Sequence, residues 1–201
     1  MHNEFLQDVE EFYDGPVVGR RLPEIELEAF HKEEVKKIKF SDYAGKWVVL
    51  VFYPADFTFI CPTELAAVGA MYGDFQKAGA EVFGVSTDTV FAHKAWHDTS
   101  AMIKTIDFPM LADPTGKLCK AMGTYLSEQG LSLRATVIAD PDGTIKAVDI
   151  HDNSIGRSSE EILRKLQAAI FVREHKTEVC PVNWKPGAKT LKPGLDLVGK
   201  L

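Results

Sequence analysis

W-V-V-L-V-F-Y-P-A-D-F-T-F-I-C-P-T-E, residues 47–64, opens with an apolar, β-branched run from Trp47 to Tyr53 that Pro54 closes. Such a run reads as a strand buried on both faces. The stretch ends on Cys61 and Pro62, and a helical pattern follows. Proline favours the first helical position, so Cys61 is expected at the mouth of a helix. Helix N-termini present unpaired N–H groups and a partial positive charge, which favours thiolate, the reactive form of cysteine. A lone cysteine is more often a buried structural thiol. Pro54 and Thr58 in the same loop argue otherwise here: one stiffens the backbone, the other offers a hydroxyl that donates and accepts.

The rest of the chain gives this strand–loop–helix turn a core to stand on. With 201 residues, there is enough chain for one domain plus extensions. A 45% hydrophobic content is ordinary for a globular protein, and the net charge is −6. The largest basic cluster, Lys36-Lys37 with Lys39, reads as a solvated strand edge rather than a nucleic-acid face. No apolar run reaches membrane-spanning length, and the acidic N-terminus lacks a signal-peptide core. Three cysteines, Cys61, Cys119 and Cys180, are too few for a secreted disulfide scaffold. A cytoplasmic address is therefore expected, where bonded cysteines are transient and serve catalysis or sensing.

Upstream, residues 1–15 are polar and expected to be poorly fixed. Glu24 to Phe30 and Glu34 to Phe40 alternate and read as a hairpin turning near His31-Lys32-Glu33. Residues 41–46 form a turn into the Trp47 strand. Downstream, one helix is expected from Cys61 to about Ala78, burying Leu65, Val68, Met71, Tyr72 and Phe75, with Gly79 ending it. A strand over Ala80 to Ser86, a helix from about Val90 to Ile106, a strand over Pro109 to Leu111 and a short helix holding Leu118, Cys119 and Met122 follow. Leu133 to Ala139 and Thr144 to Ile150 read as a hairpin on the Asp142-Gly143 turn. Ser158 to Glu161 opens a long helix to about His175, burying Ile162, Leu163, Leu166, Ile170 and Phe171. Beyond Lys176 the chain loses helical period and is punctuated by Pro181, Pro186 and Pro193. We read residues 1–175 as one domain and 176–201 as a C-terminal arm. Strand–helix alternation with an added antiparallel pair gives a mixed central sheet flanked by helices, an α/β thioredoxin-like fold with an N-terminal hairpin extension. That fold alone says little about function.

At this turn a dithiol exchanger would carry C-x-x-C, but the second position here is Glu64. The functional candidate for a partner is then Cys180, in the arm. Cys119 sits at helical spacing with Leu118 and Met122 and reads as core filler. Arg134 lies among apolar residues on a strand, where a buried cation is costly unless paired. It is either on a solvent-facing edge or a permanent cation near Cys61, able to stabilise thiolate and to donate two parallel hydrogen bonds. Glu64 and Arg157 could hold it in an ionic cluster. His93 and His97 have the i, i+4 spacing of metal ligands. No third acidic ligand is evident and Asp98 is expected to point elsewhere, so no metal site is assigned.

F-Y-P-A-D-F-T-F-I-C-P-T-E resembles the active-site stretch of the typical 2-Cys peroxiredoxins, in the branch that holds the bacterial alkyl hydroperoxide reductase C proteins. Further matches follow in order: V-S-T-D at Val85 to Asp88, F-x-H-x-x-W at Phe91 to Trp96, D-P-T-x-x-L at Asp113 to Leu118, L-R-A-T-x-x-x-D-P-D-G at Leu133 to Gly143, G-R-S at Gly156 to Ser158 and V-C-P-x-x-W at Val179 to Trp184. The resemblance implies that Cys61 is the peroxidatic cysteine, with Thr58 and Arg134 its hydrogen-bonding activators and Pro54 shielding the pocket. It implies that Glu64 and Arg157 are the ionic partners behind them and Cys180 the resolving cysteine. It also implies an obligate homodimer, often five dimers in a ring, in which Cys61 pairs with Cys180 of the other protomer. Cys119 matches no functional position of the family. The Gly-Gly-Leu-Gly insertion expected before Phe108 in the peroxide-sensitive branch is missing, and that branch's Tyr-Phe tail helix is not expected here.

The implied activity is thiol-dependent reduction of hydrogen peroxide and organic hydroperoxides, without cofactor or metal. It runs through a sulfenic acid and a disulfide recycled by an external dithiol, either the flavoprotein component of an alkyl hydroperoxide reductase or a thioredoxin-like donor. The competing readings are a ring-shaped holdase chaperone with a thiol switch, and a peroxide sensor that passes its disulfide on.

Overall fold

A computed structural model describes residues 15–200. The expectation for the N-terminal segment falls, but for residue 15, outside the described residues. The chain forms two compact units, one ending at Ser159 and one starting at Glu160.

A seven-stranded mixed sheet builds the first unit. Its strands are β1 (Glu26–His31), β2 (Glu34–Lys39), β3 (Trp47–Phe52), β4 (Ala80–Ser86), β5 (Met110–Ala112), β8 (Arg134–Ala139) and β9 (Ile145–His151), in the order β2-β1-β5-β4-β3-β8-β9. Two short strands, β6 (Tyr125–Leu126) and β7 (Leu131–Ser132), form a separate hairpin that the sequence pattern does not announce. β3 runs parallel to β4, and β4 to β5, whereas β8 is antiparallel to β3 and to β9. Central placement explains the sequence of β3: all six of its residues are buried, each large one contributing about 1.5–3 kcal/mol by leaving water. At the sheet's far edge, β1 and β2 turn on Lys32 and Glu33 alone, both at positive φ (51° and 64°). That conformation matches the twist of a two-residue hairpin but is unusual for these side chains.

Among the described residues, the α-helices of this unit are α1 (Cys61–Ala70), α2 (Tyr72–Lys77), α3 (Val90–Thr99) and α4 (Lys117–Ala121). Two expected helices are shorter than their apolar patterns suggest. The Cys61 helix breaks at Met71, and only Phe75 of the second piece is buried, while Met71 and Tyr72 are partly exposed. Just before the break, Ile106 and the Thr105 carbonyl approach Gly69, where a Cβ would meet Ile106 Cγ1 at 3.6 Å. The second helix stops at Thr99. Ser100 turns extended and its hydroxyl accepts from the Ile103 N–H at 3.3 Å, so Ile103 to Thr105 make a separate 3-10 turn. Serine competes with a helix in this way by offering the backbone a local alternative.

α5 (Ser159–Glu174) opens the second unit, its first residue being the last of the first unit. Ile162 and Leu166 are its buried positions, whereas Leu163, Ile170 and Phe171 are only partly covered. Trp184 is 3% exposed, lies 5.0 Å from the Phe171 ring and donates its indole N–H to the Ala188 carbonyl. Arg164 holds Glu161 with two nitrogens and donates to the Trp184 carbonyl at 2.8 Å. A bridge between Val179 and Leu191 closes the loop that contains Cys180.

Candidate active site

Cys61 is the first residue of α1, with Pro62 second, so the helix starts one residue earlier than a first-position proline implies. The Cys61 side chain is fully buried. Register brings Arg134 beside it: β8 pairs with β3 up to Phe52 and Ala135, so the next β8 residue lies where β3 gives way to the loop. Arg134 is 3% exposed, which removes the solvent-edge alternative. Its Nη1 donates to Cys61 Sγ at 3.2 Å and to Glu64 Oε2 at 2.7 Å. A permanent cation is therefore in hydrogen-bond contact with the sulfur.

Glu64 lies one turn along α1 and is 5% exposed. Arg157 meets it with Nε at 2.9 Å, Nη2 at 3.0 Å and its backbone N–H at 2.8 Å. Burial works to raise the Glu64 carboxyl, but the hydrogen bonds and charge of Arg157, with Arg134 behind, hold it below the usual carboxylate range. One carboxylate thus lies between two guanidiniums, and its charge offsets part of theirs. Arg157 also donates to the Ala135 carbonyl at 2.5 Å, tying the cluster to β8.

Pro54 is buried and Thr58 half-buried in the loop between β3 and α1. The Thr58 hydroxyl donates to the Ala55 carbonyl at 2.7 Å. Its proton is thereby committed, which leaves the oxygen as an acceptor. Cys119 is fully buried, and burial with the nearby Asp113 charge pushes its thiol far up, as suits core filler. In the second unit Cys180 is partly exposed, its Sγ 3.9 Å from the Ala168 carbonyl. Burial pushes that thiol up, with the Arg164 charge acting the other way.

The histidine pair is where the sequence reading needs correcting. His93 and His97 do not converge: His93 is buried against Asp56 at 2.8 Å, while His97 lies with Glu33 and Asp98. Asp98 therefore points toward His97 rather than elsewhere, the ligand atoms of the three residues lying within 4.8 Å of one another. Lys94 already occupies this cluster, 2.8 Å from Glu33 and 2.9 Å from Asp98.

Asn153 is a positioning residue the sequence did not offer. Its carbonyl accepts from Arg134 Nε at 2.9 Å and its side-chain oxygen from the Arg134 backbone N–H at 3.1 Å. An asparagine in a polar loop carries no signal of that task; the only hint was its place shortly before Gly156-Arg157-Ser158.

With this geometry in view, comparison with known proteins is decisive. Residues 18–148 match the AhpC/TSA family. The chain belongs to the AhpC/TSA family. Residues 170–199, which include Cys180, match the C-terminal domain of 1-Cys peroxiredoxin. Among the relatives of this AhpC/TSA member is alkyl hydroperoxide reductase C of Pseudomonas aeruginosa, 47% identical over 92% of this chain and 99% of that one. The Escherichia coli K12 protein of the same name is 45% identical over the same shares. Solved structures agree. Enterococcus faecalis AhpC superposes with a TM-score of 0.81 at 42% identity, covering 83% of this chain and 100% of that one. A reduced Plasmodium vivax 2-Cys peroxiredoxin gives 0.86 at 32% identity, over 90% and 96%. This member of the family is a peroxiredoxin, a thiol-dependent peroxidase on a thioredoxin-like α/β fold. Among the described residues no helix is long and apolar enough to cross a membrane.

Proposed function

We propose that Cys61 reduces hydrogen peroxide and organic hydroperoxides and that Cys180 of a second copy resolves the product. The observation that carries this reading is the Arg134 fork, held by Glu64 and Asn153 with one nitrogen on the Cys61 sulfur. The Cys61 thiolate attacks the terminal peroxide oxygen. The O–O bond breaks, the departing oxygen leaves as water or alcohol once protonated, and the sulfur becomes a sulfenic acid. Arg134 donates to the reacting oxygens, the Thr58 oxygen accepts the hydroperoxide's own hydrogen, and Pro54 shields the pocket. Glu64 and Arg157 keep the Arg134 fork aimed. The Cys180 thiol then displaces water from the sulfenic acid, forming a disulfide, and a dithiol reductase returns both thiols. The donor is the flavoprotein component of an alkyl hydroperoxide reductase or a thioredoxin-like protein, and the setting is the cytoplasm. Residues 176–201 act as the arm that delivers the resolving thiol.

We infer the assembly from the edges of the sheet and its exposed aromatics. β2 is blunted by Lys36, Lys37 and Lys39, a common protection against further strand pairing. β9, at the other edge, presents Ile150 at 46% exposure and is where a second copy adds. Phe57, Phe59 and Phe91, 59, 93 and 78% exposed, are the aromatic surface through which dimers join into a ring. Peroxide consumption with a dithiol donor tests the reading. Cys61→Ser should abolish it and Cys119→Ser should leave it near normal. An active Cys61→Ser protein would overturn the assignment, and a chaperone or sensor would not consume peroxide catalytically.

A further inference from the structure

Below the loop that carries Pro54 and Thr58 lies a buried acid–base pair to which the reaction above gives no role. The side chains of Asp56 and His93 are 1% and 0% exposed. Asp56 Oδ1 accepts from the Tyr53 hydroxyl at 2.8 Å, and Oδ2 lies 2.8 Å from His93 Nδ1. His93 Nε2 lies 3.2 Å from the Leu111 carbonyl. Both ring nitrogens therefore face oxygens, and the imidazole, carried on α3, links β5 to the loop. Burial pushes the Asp56 carboxyl up, against the hydrogen bond and charge of His93. The loop backbone has a second anchor: the Asp56 N–H donates to Asp88 Oδ2 at 2.8 Å, which also takes the Ser86 hydroxyl at 2.7 Å.

Immediately after these anchors comes Phe57, at φ 56°. A bulky residue in the left-handed region is a backbone outlier that persists only where its surroundings over-determine it. Its ring lies 6.1 Å from that of Trp96, three residues beyond His93 on α3. The turn reverses the chain so that the Thr58 hydroxyl reaches back to the Ala55 carbonyl. We propose that Asp56 and His93 are positioning residues for the peroxide reaction, their buried pair holding Phe57 left-handed and so fixing the direction of the Thr58 hydroxyl. The inference rests on the roles given above to Cys61 and Thr58.

The test compares two reactions of the same sulfur in the reduced full-length protein. Rates of Cys61 with hydrogen peroxide and with iodoacetamide are measured for wild type, Asp56→Asn, His93→Gln, Thr58→Val and Asp56→Asn combined with Thr58→Val. A displaced hydroxyl harms only the reaction that uses it. The peroxide rate should fall about 10- to 100-fold in Asp56→Asn and in His93→Gln, the scale of a small misplacement at a reacting centre. Alkylation should not change. Asp56→Asn should add nothing once Thr58 is Val, because the two act through one contact. Unchanged peroxide rates, losses that multiply in the double variant, or peroxide and alkylation rates falling together would each overturn the proposal. Should Asp56→Asn not fold, His93→Gln with Thr58→Val supplies the same cycle. Failure of the underlying reading looks different: Thr58→Val, or Cys61→Ser, would then consume peroxide as wild type does.

Discussion

Replacing Arg134 by lysine keeps the charge beside Cys61 and removes the fork. In the structure the guanidinium serves three acceptors at once: Cys61 Sγ at 3.2 Å, Glu64 Oε2 at 2.7 Å and the Asn153 carbonyl at 2.9 Å. A lysine has one nitrogen on an unbranched stem and cannot reproduce that planar spread. The buried Glu64 carboxylate is the strongest attractor among the three, so the ammonium should settle on it and lose the directed donation toward sulfur and peroxide. A hydrogen bond involving a charged group contributes about 1.5–3 kcal/mol. At 1.36 kcal/mol per tenfold, losing one in the transition state slows the reaction about 10- to 150-fold. Stopped-flow tryptophan fluorescence of the reduced protein with hydrogen peroxide measures the rate, and circular dichroism checks that the fold is intact. A wild-type rate for Arg134→Lys would show that charge alone suffices and refute the argument from the fork.

Oxidised protein run without reductant should migrate as a covalent dimer that Cys180→Ser removes; an intrachain Cys61–Cys180 or Cys61–Cys119 bond, found by peptide mapping, would contradict the second-copy assignment. Glu64 gives a pH signature: its carboxyl is held below the ordinary value of 4.5 in the folded protein, so its contribution to stability is present above that pH and is lost as pH falls through the lowered folded value. Urea melts of wild type and Glu64→Gln should therefore differ most at neutral pH and converge toward acid, and a constant gap down to strong acid would rule this out. Mass spectrometry after turnover with rising peroxide should find Cys61 mainly as disulfide, with sulfinic acid accumulating readily only in Cys180→Ser. The Gly-Gly-Leu-Gly insertion of the peroxide-sensitive branch is absent before Phe108, and Pro181, Pro186 and Pro193 keep the described arm from becoming a covering helix. Sulfinic Cys61 in the wild type at low peroxide would mean that something else braces the arm.

Local chemistry made much of this legible. β3 announces itself because six consecutive buried positions leave no room for polar residues. Cys61-Pro62 marks the helix start to within one residue because proline has so few other places to go. Arg134 was readable because an arginine among apolar neighbours demands partners, and Glu64 and Arg157 were the partners at hand. The breaks at Met71 and Ser100 were not legible: apolar spacing runs straight through both, and at the second it is a side-chain hydroxyl that gives the backbone another partner. Nor was the Asp56–His93 pair. Its members share no pattern in the chain, and the spacing His93 does show, with His97, suggests a shared task, whereas His93 turns to Asp56 and His97 to Glu33 and Asp98.

The Glu64 clamp also sets a length. Cys61, Pro62 and Thr63 precede the clamped residue: Thr63 and Glu64 donate to the Ile60 carbonyl at 3.0 and 3.2 Å, Pro62 has no N–H to give, and the helical bonds accepted by the carbonyls of this first turn must open before it unwinds. Were those bonds to open, these three residues would come free while Glu64 stays between its two arginines. Fully extended they span about 10 Å, at 3.3–3.6 Å each. The sulfur would then travel on a tether anchored at one carboxylate, so the clamp that aims Arg134 at the reduced thiol also limits how far from its pocket the oxidised sulfur can reach.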